Sequence, residues 1–395
     1  MNFAEERSEE EVLDVLKLDL DAVPILDQHC HALLRDGTVA DTASYARFFT
    51  ESSDPAMHAH HVPETVFYRW AIRELATILD CAPTTEAVLA ARAGMSADAL
   101  ARRLLGAATI AMLLVDHGYL TDETWSPAEL AARVPCRVLP ILRLEALAQE
   151  LIVRYETFDA VLDAYSEIVE RARADGFIAL KSIVAYRTGL AVQPTSRADA
   201  GAAFGPVKER ARRDGRVRLA AKPLNDYLLL RALEIAERQA IPVQIHTGFG
   251  DTDLDLRDAN PLHLRPLLES GRYANVPFVL LHASYPYVRE LGYLAAIYPN
   301  VYADVGLAIP HLAAEIPAML RQMLGLTPST KVVYSSDASQ IPELFWLAAR
   351  WGRRGVGTVL GELIALGALD GDEALAVARR VLGGNAAGIY GLPWP

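Results

Sequence analysis

Eight short apolar runs, each followed by polar residues and then a helical pattern, constrain this chain more than any other feature. They read as strands at "VPILDQH" (23–29), "AMLLVDHG" (111–118), "RVLPILRLE" (137–145), "GFIALKSIV" (176–184), "IPVQIHTG" (241–248), "PFVLLHAS" (277–284), "NVYADVG" (300–306) and "KVVYSSDA" (331–338). Amphipathic stretches such as "LLLRALEIAERQA" (228–240) and "VRELGYLAAIY" (288–298) lie between them. Continuous β-branched runs alternating with helices indicate parallel strands covered on both faces. Eight such units predict an α/β fold, a (β/α)8 TIM-like barrel, over an open doubly wound sheet. No GxGxxG follows the first strand, which weakens the dinucleotide-binding alternative.

Residues 33–108 break the rhythm, with helical patterns in "SYARFFTES", "ETVFYRWAIRELATIL" and "TEAVLAARAG". This is far more chain than one crossover needs. In a barrel the excess leaves from the C-terminal face, where active sites sit. A helical lid is expected there, a dimer contact being the alternative. No linker or repeat divides the chain, so residues 1–395 read as one barrel domain with a helical insertion at about 33–108.

Composition limits the partners. Apolar residues are 52% and charged residues 22%, the balance of a globular protein. A net charge of -12 with no basic run argues against nucleic acid or an anionic membrane. The three cysteines, Cys30, Cys81 and Cys136, form no CxxC pair, which fits a reducing cytoplasm. The opening "MNFAEERSEEEVLDVL" is acidic and helical in character, unlike a signal peptide. No apolar run approaches the roughly 18 residues of a membrane span. A cytoplasmic protein is expected, with a homo-oligomer left open.

Polar residues at the strand ends carry the chemistry. Asp27, His29 and His31 occupy alternate positions, so in an extended strand all three leave from one face. Lys181 lies in the fourth run, His246 ends the fifth, His282 the sixth and Asp337 the eighth. A barrel brings these ends into one mouth. Several histidines plus a carboxylate suit zinc, manganese or iron. Arg143 and Glu145 follow the third strand and Tyr186 and Arg187 the fourth, while Arg257 sits in "GDTDLDLRD" and Lys222 in "AAKPLND". Several cations at one mouth suggest an anionic or amino-acid-like small-molecule substrate. "HAHH" (58–61) lies in the insertion without a supporting carboxylate and is read as outside the site. Cys30 alternates away from its flanking histidines and is expected to be a packed thiol.

Together these residues resemble the amidohydrolase superfamily of metal-dependent hydrolases, in its amidohydrolase-related branch. More narrowly, "LKSIVAYRTGL", "QIHTGFGDTDLDLRDANPLHLRPLLE", "LLHASYPYVRELGYLAAIYPNVYADVGLAIP" and "GNAAGIYGL" resemble the N-terminal amidohydrolase half of the FluG and nodulin/glutamine-synthetase-like fusions. The chain ends at Pro395, so a stand-alone hydrolase half is expected. By this resemblance His29, His31, His246 and Asp337 map onto metal ligands, with zinc the first choice. Asp337 would also take a proton from metal-activated water, whose pKa such an ion lowers from ~16 toward ~7, and pass it to a leaving amine. His282 would contact the substrate carbonyl if one metal is bound, or ligate a second metal if two are. Lys181 would bridge two metals as a carbamate, or bind a substrate carboxylate as a free amine; one ion is preferred. Lys181, Arg143, Arg187 and Arg257 are the substrate-binding candidates. Hydrolysis of a C–N bond in a small carboxylated amide, such as a γ-glutamyl amide, is the implied activity. A nonoxidative decarboxylase of the same branch and a non-catalytic barrel are the alternatives.

Overall fold

A computed structural model describes residues 18–395; the acidic opening read as helical lies outside the described residues. Eight strands form the centre: β1 Ile25–Cys30, β2 Ile110–Asp116, β3 Arg137–Arg143, β4 Ala179–Ser182, β5 Val243–Ile245, β6 Phe278–Leu280, β7 Val301–Asp304 and β8 Val332–Val333. Each pairs with the next, always in parallel. Backbone hydrogen bonds close the seam between β8 and β1: Gln28 N donates to Tyr334 O (3.3 Å), Asp337 N to His29 O (3.0 Å) and Gln340 N to Ala32 O (3.0 Å). The expected TIM-like barrel is therefore present. The eighth apolar run pairs as a strand for only two residues, since the Tyr334 N–H already donates out of the sheet to Val381 O at 3.0 Å, and the chain then turns at Asp337, whose φ is 51°.

Inward-pointing Leu26, Met112, Leu114, Ile141, Ala179, Val279, Leu281 and Val333 fill the barrel. Ala386, Ala387 and Tyr390 of the C-terminal helix Asn385–Tyr390 join this inner cluster and plug the end opposite the mouth. The other apolar faces pack against the surrounding helices.

The segment after β1 folds into helices Val66–Leu79, Thr85–Ala93 and Ala97–Ala107, each started by a Thr or Ser side chain accepting a first-turn N–H. It packs against the long helix Pro342–Ala365. Trp70 stacks on Trp351 (4.3 Å between centroids), and Arg92 Nε donates to Glu343 Oε1 at 2.6 Å. Glu74 accepts from both Arg350 and Arg354. The insertion is thus part of the barrel wall and reaches over the mouth.

Candidate active site

Strand alternation explains which polar groups enter the mouth. Two residues beyond the inner Leu114, Ile141 and Ala179 stand Asp116, Arg143 and Lys181, and His246 follows Gln244 by the same step. β1 needs an irregularity. Leu26 and Gln28 face inward, so strict alternation would turn His29 outward. The ladder to β2 shifts register between Asp27 and Cys30, and this lets His29 and His31 face inward too. The expectation that Asp27 shares their face is corrected. Its carboxylate accepts instead from Ser336 N (2.9 Å) and Oγ, away from the cavity, and burial pushes it up to about 7. Cys30 packs outward with its thiol on Leu114 O, as expected.

Three histidines converge on one carboxylate. His29 Nε2 is 3.0 Å and His31 Nε2 3.3 Å from Asp337 Oδ1, and His282 Nδ1 is 3.7 Å from Asp337 Oδ2. The tautomers follow from the partners. Gln244 Nε2 lies within 2.9 Å of Gln28 O, Gln28 Oε1 and Tyr390 Oη, so its carbonyl must face His29 Nδ1 at 2.8 Å. His29 therefore donates from Nδ1. His31 Nδ1 likewise donates to the Asp116 backbone carbonyl at 3.0 Å. Both Nε2 atoms thus aim lone pairs at a carboxylate oxygen, and Lys181 Nζ, 3.1 Å from His29 Nε2, is the nearby cation. His246 Nε2, His282 Nδ1 and Asp337 Oδ1 are buried with no hydrogen-bond partner. Crowded lone pairs and orphaned acceptors call for a cation, and imidazoles plus a carboxylate are the donor set of a divalent metal.

Two compact donor groups result, His29 with His282 and Asp337, and His29 with His31 and Asp116. Asp116 is already committed. Arg143 grips it with Nε and Nη2 at 2.9 and 2.6 Å. Burial alone would raise the Asp116 carboxyl, but the Arg143 guanidinium holds it well below the usual range. His246 stands outside both groups, with its ring 4.5 Å from that of His282. Burial, then Lys181, lowers His29 to about 4, so its imidazole stays neutral and can ligate. Burial also brings Lys181 down to about 8, against the pull of Asp116 and Asp337.

The backbone at the mouth is held in the sparsely populated left-handed region at His282 (φ 69°) and Asp337 (φ 51°). Asp304 pins the first of these, its Oδ2 accepting from His282 N and Gly306 N at 2.9 Å each. Its Oδ1 accepts from Gln28 Nε2 at 3.0 Å, so one carboxylate orients Gln28, then Gln244, then His29. Gly250 allows a further close approach: a Cβ there would lie 1.9 Å from Tyr186 Oη, the ring that leans on His246 at 4.5 Å.

A cavity of about 630 Å³ opens above this cluster, lined by Lys181, Arg187, His246, His282 and Asp337 from the barrel and by Arg47, Phe48, Thr50, Glu51, Ser52, Ser53 and His58 from the insertion. Arg187 Nε is buried in it without a partner. Two expectations need correction. Arg257 stays out of the cavity, exposed and paired with Asp255, because its acidic loop supplies a nearer partner. His58, of the motif read as lying outside, lines the rim, because the insertion folds over the mouth. Arg143 lines the cavity but is committed to Asp116. Lys222 bonds Ala191 O and Asp226, and Glu145 holds the turn after β4 through Ser182 Oγ and Ile183 N.

Sequence reasoning missed Asp116, Gln244, Asp304, Glu51 and His311. The first three carried a signal, each lying on an inward register two residues from another inward position. Glu51 and His311 lie in segments without periodicity and carried none.

The comparisons agree with this geometry. An amidohydrolase family profile matches residues 157–392. The fluG protein of Emericella nidulans is 31% identical over 93% of this chain, which spans only 46% of that protein's length. A Lactobacillus casei protein, assigned without a stated substrate as a metal-dependent hydrolase, superposes with a TM-score of 0.84 at 32% identity, covering 94% of this chain and 96% of that one. A uronate isomerase from Thermotoga maritima shares the fold at a TM-score of 0.64 and 14% identity, with 96% and 99% covered. With its profile match, its barrel and its cluster of metal-donor side chains, this chain belongs to the amidohydrolase family.

Proposed function

We propose that the protein is a metal-dependent hydrolase that cleaves the C–N bond of a small carboxylated amide. The observation that carries this reading is the convergence of the His29 and His31 lone pairs on Asp337 Oδ1 at 3.0 and 3.3 Å, beneath a cavity of substrate size. His29, His31, His246 and Asp337 would hold one divalent ion, zinc as first choice. Such an ion supplies Lewis acidity and makes a nucleophile available from water at neutral pH.

The chain's own groups do the rest. Asp337 faces the cavity with an unpartnered Oδ1, placed to accept a proton during attack and return it to the departing amine nitrogen. His282, its backbone N–H held by Asp304 and its ring Nδ1 unpartnered, faces the reacting carbonyl. Lys181 and Arg187 offer positive charge to a substrate carboxylate, and Phe48 and its neighbours in the insertion shield the site from water. The sequence resemblance to fusions with glutamine-synthetase-like halves favours a γ-glutamyl amide as substrate. The test is a panel of γ-glutamyl and other carboxylated amides with the zinc-loaded protein. Release of ammonia or amine supports the reading. Release of CO2 from these carboxylated compounds, with no amide turned over, would make it a decarboxylase.

A further inference from the structure

Outside the metal-donor cluster, His311 Nε2 and Glu51 Oε1 lie side by side on the wall of the same cavity, 3.7 Å apart. His311 Nδ1 lies 3.0 Å from the Leu307 carbonyl, which can only accept, so Nδ1 carries the proton and Nε2 a lone pair. That Nε2 is buried, has no hydrogen-bond partner and stands 3.7 Å from Glu51 Oε1. Phe67 and Phe249 hold the imidazole from two sides, with centroids 5.0 and 5.8 Å away. Among the described residues Glu51 has no ion pair with Lys or Arg, although it shares the cavity wall with Asp251 and Asp337. Burial, then the charges of Asp337 and Asp251, push its carboxyl up to about 8. An ammonium seated between the lone pair of His311 Nε2 and Glu51 would hold that carboxyl ionised and supply the N–H bonds that His311 Nε2 lacks.

We propose that Glu51 and His311 form a subsite for a primary ammonium group of the substrate. The inference rests on the cavity being the active site and sharpens its substrate class. With Arg187 and Lys181 offering charge to a carboxylate, an ammonium at Glu51 makes the substrate a zwitterion, the amide of an amino acid. Glu51 accepts two N–H bonds or one with full charge, and His311 Nε2 accepts another. A des-amino analogue leaves the buried His311 Nε2 unpaired and Glu51 without a cation, which is where discrimination arises. Because Glu51 comes from the insertion, this subsite also gives the helical segment over the mouth a part in choosing substrate.

The test uses L-glutamate and glutarate, which differ only by the α-ammonium, as non-reacting probes titrated calorimetrically into the metal-loaded protein. L-Glutamate is expected to bind about 10- to 100-fold tighter, the scale of a buried charged hydrogen bond. In Glu51→Gln and in His311→Asn that margin should fall toward one while metal content stays unchanged. Equal affinity for the two probes, no saturation by either at millimolar concentration, or a margin that survives both substitutions overturns the proposal. Failure of the hydrolase reading looks different. A glutamate margin without turnover of any amide keeps the subsite and sinks the reaction, and amide turnover without a margin does the reverse.

Discussion

Gln244 offers the sharpest probe of how the site is organised, because its amide decides which nitrogen of His29 is free. Its carbonyl accepts from His29 Nδ1 at 2.8 Å, and its NH2 reaches Gln28 O, Gln28 Oε1 and Tyr390 Oη between 2.7 and 2.9 Å. A Gln244→Met change keeps the volume and removes every one of these bonds. Tyr390 still donates to Gln28 Oε1, so two buried groups lose their partner outright, the His29 Nδ1–H and the Gln28 carbonyl. At about 1–3 kcal/mol for each unpaired group, the fold should lose about 2–6 kcal/mol. His29 is then free to turn its N–H toward the ion, and zinc affinity should fall about 10- to 100-fold. Gln244→Glu separates the two effects. It keeps an acceptor for His29 and so should hold zinc nearly as tightly, yet it cannot donate to Gln28 and should lose similar stability. Competitive chelator titration gives the affinities and urea unfolding the stabilities. Wild-type zinc affinity in the Met variant, within about twofold, would refute the tautomer argument.

Asp337→Asn should retain some metal through its amide oxygen but lower kcat on an amide substrate by at least about 10²-fold, since an amide cannot shuttle the proton; near-native turnover in the loaded variant would remove this role from Asp337. Lys181→Ala should leave one metal in place and raise KM for an anionic substrate with a smaller change in kcat, the mark of a ground-state anchor. Two metals in the native protein, one of them lost in that variant together with a carbamate, would instead make Lys181 a bridge. Arg92→Ala should destabilise the fold by about 3–5 kcal/mol, because it leaves the fully buried Glu343 carboxylate without its only cation among the described residues, at 2.6 Å, and with just the longer bond from Tyr45 Oη. An unfolding midpoint equal to the native protein's would mean that this pair does not anchor the insertion.

The barrel was readable because most of its strands are buried on both faces and its polar residues recur on one register. His246 and Lys181 stand out at the ends of apolar runs, and alternation alone brings them inward. The same rule, applied to "AMLLVD" and "NVYAD", would have found Asp116 and Asp304. It misled at β1, where Asp27 seemed to share a face with His29 until the register shift turned them apart. Arg257 looked like a substrate cation, but its side chain closes on Asp255 two residues away, a local pair that spacing does not reveal. Glu51 and His58 meet the cavity only because the insertion folds over the mouth, and His311 reaches it from the segment after β7, tertiary events without any period in the sequence.

Metal content measured by mass spectrometry on the purified protein tests the central claim most directly, read beside its circular dichroism and in parallel with His29→Ala and His246→Ala. One divalent ion per native chain is expected, falling sharply in both variants while the spectrum shows an intact fold. Full occupancy in both variants, or a native protein that hydrolyses its amide after complete removal of metal, would contradict it.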